Sequence, residues 1–427
     1  ETQKFVQSLP FTLTDAQRKA AWEILKDLEK DEPMARLLEG DVGSGKTVVA
    51  AIVMLNVALS KNEKKRLRQS VLMAPTEVLA HQHFHSLTSL LSSFPVSIAL
   101  FTRNKKMIFS PEGTKNVTKT TLQRTIAQGE VEMVIGTHTL IQDDISFFDL
   151  GLAIVDEQHR FGVEQRRSLV NKTNEENAIP HLLSMTATPI PRSLALALFS
   201  DLDISIIDEL PQGRGSILTK IVSGEKREKT YEFVQEKIKE GRQAFVVCPL
   251  IDESSEKEIT SAKQEYQKLN QEVFPELNIG ILHGKLKPTE KEKVMRDFLE
   301  GEYDILVSTS IVEVGVDVPN ATLMVIEGAD RFGLAQLHQF RGRVGRGAHQ
   351  SYCLLFTDSR SEKTLERLQT MEQHTDGFTL AKMDLKFRGS GEIYGTAQKG
   401  FPELKMATLW DHQIMKQAQQ EAIDLVQ

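Results

Sequence analysis

Gly40-Asp41-Val42-Gly43-Ser44-Gly45-Lys46-Thr47 fills every fixed position of G-x-x-x-x-G-K-[ST], the loop that wraps nucleotide phosphates. Arg36-Leu37-Leu38-Glu39 before it reads as a short strand, and Val48 to Ser60 behind it as an apolar helix. Strand, glycine-bearing loop and helix N-terminus together aim backbone N–H groups at one anionic point. Gly40, Gly43, Ser44 and Gly45 then shape the loop around phosphate oxygens. Lys46 reaches the β- and γ-phosphates, and the Thr47 hydroxyl ligates Mg²⁺. ATP and Mg²⁺ are the ligands this predicts.

Upstream, Thr14 precedes a run with Ala20, Ala21, Ile24 and Leu28 on one face, which predicts a capped helix from Asp15 to Lys30. Gln17 in its first turn has an amide that can pair with the N6 and N7 edge of adenine; a solvated helix glutamine is the equal alternative. Downstream, Val71 to Pro75 reads as a buried strand, with a helix starting near Val78. His81, His83 and His85 on that helix lack a third metal ligand at suitable spacing, so they read as helix-surface histidines. Val131 to Ile135 gives another strand. Leu152-Ala153-Ile154-Val155 then ends in Asp156-Glu157, the Walker B pattern. Asp156 would serve Mg²⁺ and Glu157 the attacking water. After the strand His181 to Ser184, the hydroxyls of Thr186 and Thr188 either sense that carboxylate pair or mark a turn. Short apolar strands alternating with amphipathic helices predict parallel α/β layers, with chemistry at the carboxyl ends of the strands.

Pro211-Gln212-Gly213-Arg214-Gly215 is the best linker in the chain. Beyond it, strands are predicted at Lys220 to Ser223, Ala244 to Pro249, Asn278 to Leu282, Ile305 to Ser308 and Leu323 to Ile326. Glu253 to Gln271 reads as a solvated helical face or a mobile loop. No second phosphate loop occurs, so this half repeats the architecture without the catalytic loop. It offers Gln339-Phe340-Arg341-Gly342-Arg343-Val344-Gly345-Arg346, whose arginines could stabilise charge on a transferring phosphate, bind nucleic-acid phosphates, or form a basic surface turn. Gly315-Val316-Asp317 adds a second glycine- and carboxylate-bearing loop at a strand end. The expected domains are 1–211, 215–357 and a C-terminal helical segment at 358–427.

Bulk composition fits this plan. A chain of 427 residues needs more than one core, and 40% hydrophobic with 26% charged residues is ordinary for a globular protein. No apolar run reaches membrane-spanning length. Cys248 and Cys353 both lie in apolar strand-like runs and read as core thiols of a cytoplasmic protein. A net charge of −7 argues against a wholly basic coat but permits a local basic groove.

Gly40–Thr47, Asp156-Glu157-Gln158-His159, Thr186-Ala187-Thr188 and the run from Gln339 to Arg346 resemble the motif set of superfamily 2 helicases. More closely, Asp156 to Arg166, Ala74-Pro75-Thr76-Glu77-Val78-Leu79-Ala80 and Glu313 to Ala321 are similar to the RecG family of bacterial ATP-dependent DNA helicases. Asp384 to Gln398, with Arg388, Gly389, Gly391 and Gln398, resembles the translocation motif that this family shares with the transcription-repair coupling factor. Gln158 and Glu392 favour RecG over that factor, which is the alternative reading. Ser390, Lys399 and Phe101-Thr102-Arg103-Asn104 depart from the usual RecG pattern, the last in a loop expected to touch DNA.

The resemblance covers about Leu9 to Pro402. It implies two tandem RecA-like domains with parallel sheets, plus a C-terminal helical hairpin and loop. It also implies a cytoplasmic, monomeric motor acting on duplex or branched DNA, with single-stranded DNA-binding protein as a candidate partner. RecG carries an N-terminal wedge domain, and nothing before Leu9 matches one, so the motor portion alone is expected. By the same carry-over, Gln17 recognises adenine, Lys46 and Thr47 hold phosphates and Mg²⁺, and Asp156 and Glu157 serve metal and water. Arg343 and Arg346 are fingers, Gly315 and Asp317 lie beside the nucleotide, and Thr186 and Thr188 link nucleotide state to DNA. Arg388, Gly389, Gly391 and Gln398 convert motor closure into duplex movement.

Overall fold

The computed structural model describes residues 2–60, 68–142, 145–157, 179–187, 202–211, 215–249, 255–309, 318–347, 349–384, 386–387, 417 and 421. They form two compact units that part after Pro211.

The first unit opens with α1 (Thr2–Ser8) and α2 (Asp15–Leu28). β1 (Ala35–Gly40) leads through the phosphate loop into α3 (Lys46–Leu59). Then come β2 (Gln69–Met73), α4 (Glu77–Leu90), β3 (Ile98–Phe101), β4 (Lys106–Ser110), β5 (Gly113–Asn116), α5 (Lys119–Ala127) and β6 (Met133–Gly136). The short α6 (Thr139–Gln142), β7 (Leu150–Val155), β8 (His181–Thr186) and β9 (Asp203–Ile207) complete it. The strands join in the order β5-β4-β3-β6-β2-β7-β8-β1-β9.

Both faces of this sheet are apolar, as a parallel sheet between helical layers requires. Along β7, Leu152 and Ile154 join one core while Ala153 and Val155 join the other. α3 is buried on nearly every side, with ten residues from Val48 to Ala58 inside. Its valines and isoleucine are mediocre helix formers. Burial outweighs that preference, since each large apolar side chain removed from water contributes about 1.5–3 kcal/mol. Among the described residues, pairing turns antiparallel at one edge alone, in β3–β4 and β4–β5. The connections there, residues 102–105 and 111–112, are far too short for the crossover that parallel strands need.

β1 is held from both sides. Arg36 donates from Nε to Asp27 of α2 at 2.7 Å and from Nη1 to Ser205 of β9 at 2.9 Å. Burial pushes the Asp27 carboxyl up, but Lys30 and Arg36 outweigh it and hold the group below its ordinary value. This pair fixes the strand from which the phosphate loop springs.

The second unit starts with β10 (Ile217–Val222) and a 3₁₀ turn, Gly224–Lys226, that runs into α7 (Arg227–Lys239). It continues with β11 (Gln243–Cys248), α8 (Ser255–Lys268), β12 (Ile279–Leu282), α9 (Pro288–Leu299), β13 (Ile305–Thr309), β14 (Ala321–Ile326), α10 (Leu334–Arg341), β15 (Ser351–Phe356) and α11 (Glu362–Gln373). Its strand order is β10-β15-β14-β11-β13-β12, all parallel. Matched in chain order, these six strands repeat the arrangement of β1, β8, β7, β2, β6 and β3. The repeated architecture expected from sequence is therefore present strand for strand. The charged stretch before Gln271 is α8, which buries Ala262 and runs on to the buried Leu269. α11 covers β10, and Glu372 accepts the Ile221 N–H of that edge strand at 2.9 Å. A further helical stretch at 377–384 follows, and its Asp384 accepts the Leu334 N–H at the start of α10 at 3.0 Å.

Candidate active site

At the end of β1 the chain turns tightly. The Ser44 N–H donates to the Asp41 carbonyl at 3.1 Å, and the Val42 N–H to the Asp41 carboxylate at 2.6 Å. Gly45 caps α3 with φ 88°, a left-handed conformation. A Cβ on it would lie 2.2 Å from the Gln17 amide nitrogen, so both backbone and space demand glycine. Lys46 begins α3 and donates from Nζ to the carbonyls of Gly40 at 2.7 Å and Asp41 at 2.9 Å. The Ser44 hydroxyl is buried and has no hydrogen-bond partner within the chain. Thr47 is half-buried in the first turn of α3, where the Val48 N–H donates back to the Gly45 carbonyl at 3.1 Å.

Gln17 is not a solvated helix residue: it is 1% exposed. Its amide donates to the Ser44 carbonyl at 2.7 Å and accepts from the Thr14 N–H at 2.9 Å. It therefore caps α2 and braces the phosphate loop at once.

β8 lies between β1 and β7. Val155 pairs with Ser184, and Glu39 with Thr186, so the carboxylate pair after β7, Thr186 at the end of β8 and the loop after β1 follow neighbouring strand ends. Thr186, 5% exposed, stands between the loop and the carboxylate pair. Asp156 is buried, and its Oδ1 accepts the Glu157 N–H at 3.0 Å. Among the described residues, Glu157 is the only non-glycine with positive φ, at 54°. Such backbone is costly for a side-chain-bearing residue and concentrates at functional sites. The other Asp156 oxygen, Oδ2, lies 2.7 Å from His83 Nε2. Burial pushes the Asp156 carboxyl up, while His83 and the charge of Lys46 outweigh it and hold it below the ordinary carboxylate range. The site thus sets a cationic lysine and an ionised carboxylate at the same sheet edge.

His83 corrects the expectation of three surface histidines, since it is buried on Asp156. His81, on the same helix, is half-buried. Burial, helped by the charge of Lys105, pushes it down to about 4. Burial also lowers His181, whose Nδ1 accepts the Met34 N–H at 3.0 Å, and His283. In the unfolded chain all three titrate near 6.5, so the unfolded state takes up protons first as pH falls. Stability is then fully present above about pH 6.5 and is lost as pH falls toward about 4. Thermal melts across that window should show a falling midpoint, and His81→Gln should flatten the fall; a pH-independent midpoint would refute the assignment.

In the second unit, α10 ends at Arg341 and a turn follows. Arg341 is 3% exposed and donates to the carbonyls of Met371, His374 and Thr375 at 2.8–2.9 Å, and its Nη2 lies 2.8 Å from His338 Nδ1. It ties α10 to the end of α11. Arg343 and Arg346 come after the helix and are half-buried. Gly345 has φ 81°, and a Cβ there would lie 2.8 Å from Ile217 of β10, so the turn packs directly on the sheet. Where β10 meets α7, Arg227 donates to both carboxylate oxygens of Glu327 at 2.8 Å, beside a cavity of about 330 Å³ at the ends of β11, β14 and β15.

Residues 14–197 match the DEAD/DEAH box helicase family, and residues 225–348 match the helicase conserved C-terminal domain. The chain is 48% identical to ATP-dependent DNA helicase RecG of Synechocystis sp. over 96% of its length and 47% of that protein's. It is 48% identical to RecG of Bacillus subtilis over 100% of its length and 60% of that protein's. A solved structure of RecG bound to a three-way DNA junction superimposes with a TM-score of 0.78 at 42% identity, covering 97% of this chain and 51% of that one. This chain belongs to the RecG-type DEAD/DEAH-box helicases. It spans about half the length of the curated relatives it matches. A 17%-identical yeast Dbp5 structure, at a TM-score of 0.60, shares the fold.

Among the RecG-type motif residues, Gln17, the phosphate loop, Asp156, Glu157 and Thr186 come together on the first unit, while Arg343 and Arg346 lie on the second. Thr188, Gly315, Asp317, Arg388, Gly389, Gly391 and Gln398 lie outside the described residues, as does the basic run before Arg68. In the atypical loop after β3, Thr102 Oγ1 and the Asn104 N–H both donate to Glu77 of α4, at 3.0 and 3.4 Å. No described helix is long and apolar enough to cross a membrane. His83 is the site-forming residue that sequence reasoning missed, and Arg341 of the arginine array is structural.

Proposed function

We propose that this chain is the motor of an ATP-dependent double-stranded DNA translocase and helicase that remodels branched DNA, such as stalled forks and Holliday junctions, in recombination and repair. The observation that carries the reading is the adjacency of the carboxyl ends of β1, β8 and β7, with Lys46 and the ionised Asp156 at that end of the sheet. The residues present suit a magnesium nucleotide. The partnerless buried Ser44 hydroxyl, the first-turn N–H groups of α3 and Lys46 are donors for phosphate oxygens. Thr47 and Asp156 are oxygen ligands of the kind Mg²⁺ prefers. Mg²⁺ supplies charge neutralisation at the phosphates when bound.

Within the chain, Glu157 orients and polarises water. Gln17 keeps one amide hydrogen and one lone pair beyond its two bonds, enough for a purine edge. Arg343 and Arg346 contribute charge to the transferring phosphate. Thr186 relays nucleotide state from between the loop and the carboxylates. A nucleotide that binds one conformation of the two units better than another shifts their equilibrium, and hydrolysis releases it. Alternating grips on the phosphate backbone would turn that cycle into movement, with the Arg388 loop as its output. Such binding is sequence-independent and weakens steeply with salt.

The relatives above carry the RecG name, which disfavours the alternative of a transcription-repair coupling translocase. The deciding experiment compares ATP hydrolysis with forked, linear duplex and single-stranded DNA. Stimulation is expected to be greatest with forked or duplex DNA. Hydrolysis indifferent to all three would overturn the motor reading.

A further inference from the structure

α4 buries Leu79, Ala80, His83, Phe84 and Leu87, a stripe at helical spacing. His83 is the one polar residue in it. A polar side chain among apolar neighbours is costly unless its bonding is met, and here the partner is the Asp156 carboxylate, 2.7 Å away. That length is typical of a bond to an ionised acceptor. The Glu157 N–H occupies the other carboxylate oxygen, so Asp156 is pinned at both ends. The same Glu157 bond helps set the left-handed backbone that aims the next side chain. Asp156 retains further lone pairs on each oxygen, enough to serve a metal's shell while bonded to the protein.

We infer that His83 is a positioning residue for ATP hydrolysis: it orients Asp156 toward Mg²⁺ through the Nε2–Oδ2 bond. Donors behind a metal-serving carboxylate govern where it points, and losing one costs about 10–100-fold in metal affinity or activity. The proposal rests on the ATPase reading above. It differs from a satisfied core histidine in what it predicts for the metal. A packing role would change stability and leave the metal requirement alone.

The test uses this chain with His83→Leu, His83→Asn and His83→Gln. For H83L, the Mg²⁺ concentration giving half-maximal ATP hydrolysis is expected to rise about tenfold. Its affinity for a fluorescent ADP analogue in EDTA should stay unchanged. H83Q, whose longer side chain again presents an amide N–H, should recover most of the wild-type Mg²⁺ requirement. A cooperatively melting H83L with the wild-type requirement overturns the proposal. If H83L does not melt cooperatively, H83N, whose shorter amide falls short of Asp156, takes its place against H83Q: a higher Mg²⁺ requirement in H83N supports the proposal, and equality overturns it. A wild-type chain without ATP hydrolysis would instead fail the ATPase reading.

Discussion

Lys46→Ala is expected to abolish ATP hydrolysis while leaving the fold intact. Its ammonium lies 2.7 and 2.9 Å from the carbonyls of Gly40 and Asp41, at the inner wall of the loop. Its charge also helps hold Asp156 ionised. On the proposed reading, truncation therefore removes a phosphate partner and weakens the carboxylate assigned to the metal. Turnover should fall by about 10³-fold or more, corresponding to roughly 4 kcal/mol of transition-state stabilisation. The fold should survive, because Lys46 is half-buried at the first position of α3 and the helix's buried run begins at Val48. Phosphate release measured alongside circular dichroism checks this. Near-normal turnover in a folded variant would sink the phosphate-loop assignment.

Arg346→Ala should behave differently. A finger acts where charge builds during phosphoryl transfer, so its loss appears in turnover more than in binding. Hydrolysis should fall by about 10³-fold, the lower end for arginine fingers, with nucleotide affinity nearly unchanged. The half-buried guanidinium donates from Nε to the Gly342 carbonyl at 3.4 Å within its own turn, and circular dichroism of the variant checks that the fold survives. Arg341 is the contrast, since its bonds to Met371, His374 and Thr375 make it structural. Equilibrium binding of a fluorescent ATP analogue and single-turnover hydrolysis separate the outcomes. Equal losses of affinity and turnover would assign Arg346 to ground-state binding instead.

Much of the fold could be read from sequence, because buried parallel strands are short apolar runs that end in glycine or carboxylate, as β1 and β7 do. β4 and β5 could not: Lys106–Ser110 is only half-buried although it carries Met107, Ile108 and Phe109, and Gly113–Asn116 is a largely exposed edge strand with no large apolar residue. The phosphate loop was legible because its chemistry is local. His83 was not, because its partner lies 73 residues away and only the packing of α4 on the sheet reveals which helix face is buried. Arg341, Arg343 and Arg346 look alike as an array. They part company because α10 ends at the first of them, leaving that one on a buried helical face and the other two in the following turn. Gln17 was open between two roles, and burial supplied a third, since a capping bond can be guessed from Thr14 but the bond to Ser44 cannot.

The pairing of Arg227 with Glu327 has a consequence for stoichiometry. Strand for strand, Arg227 opens α7 as Lys46 opens α3, and Glu327 follows β14 as Asp156 follows β7. In the second unit these counterparts neutralise each other through two 2.8 Å bonds, with the guanidinium also 4.7 Å from the Phe356 ring centre. Cation and anion there are bonded to each other, where Lys46 and Asp156 of the first unit are bonded to other groups. Among the described residues the second copy therefore closes its own cation onto its own anion, and one nucleotide bound per chain is the expected stoichiometry, which equilibrium binding measures.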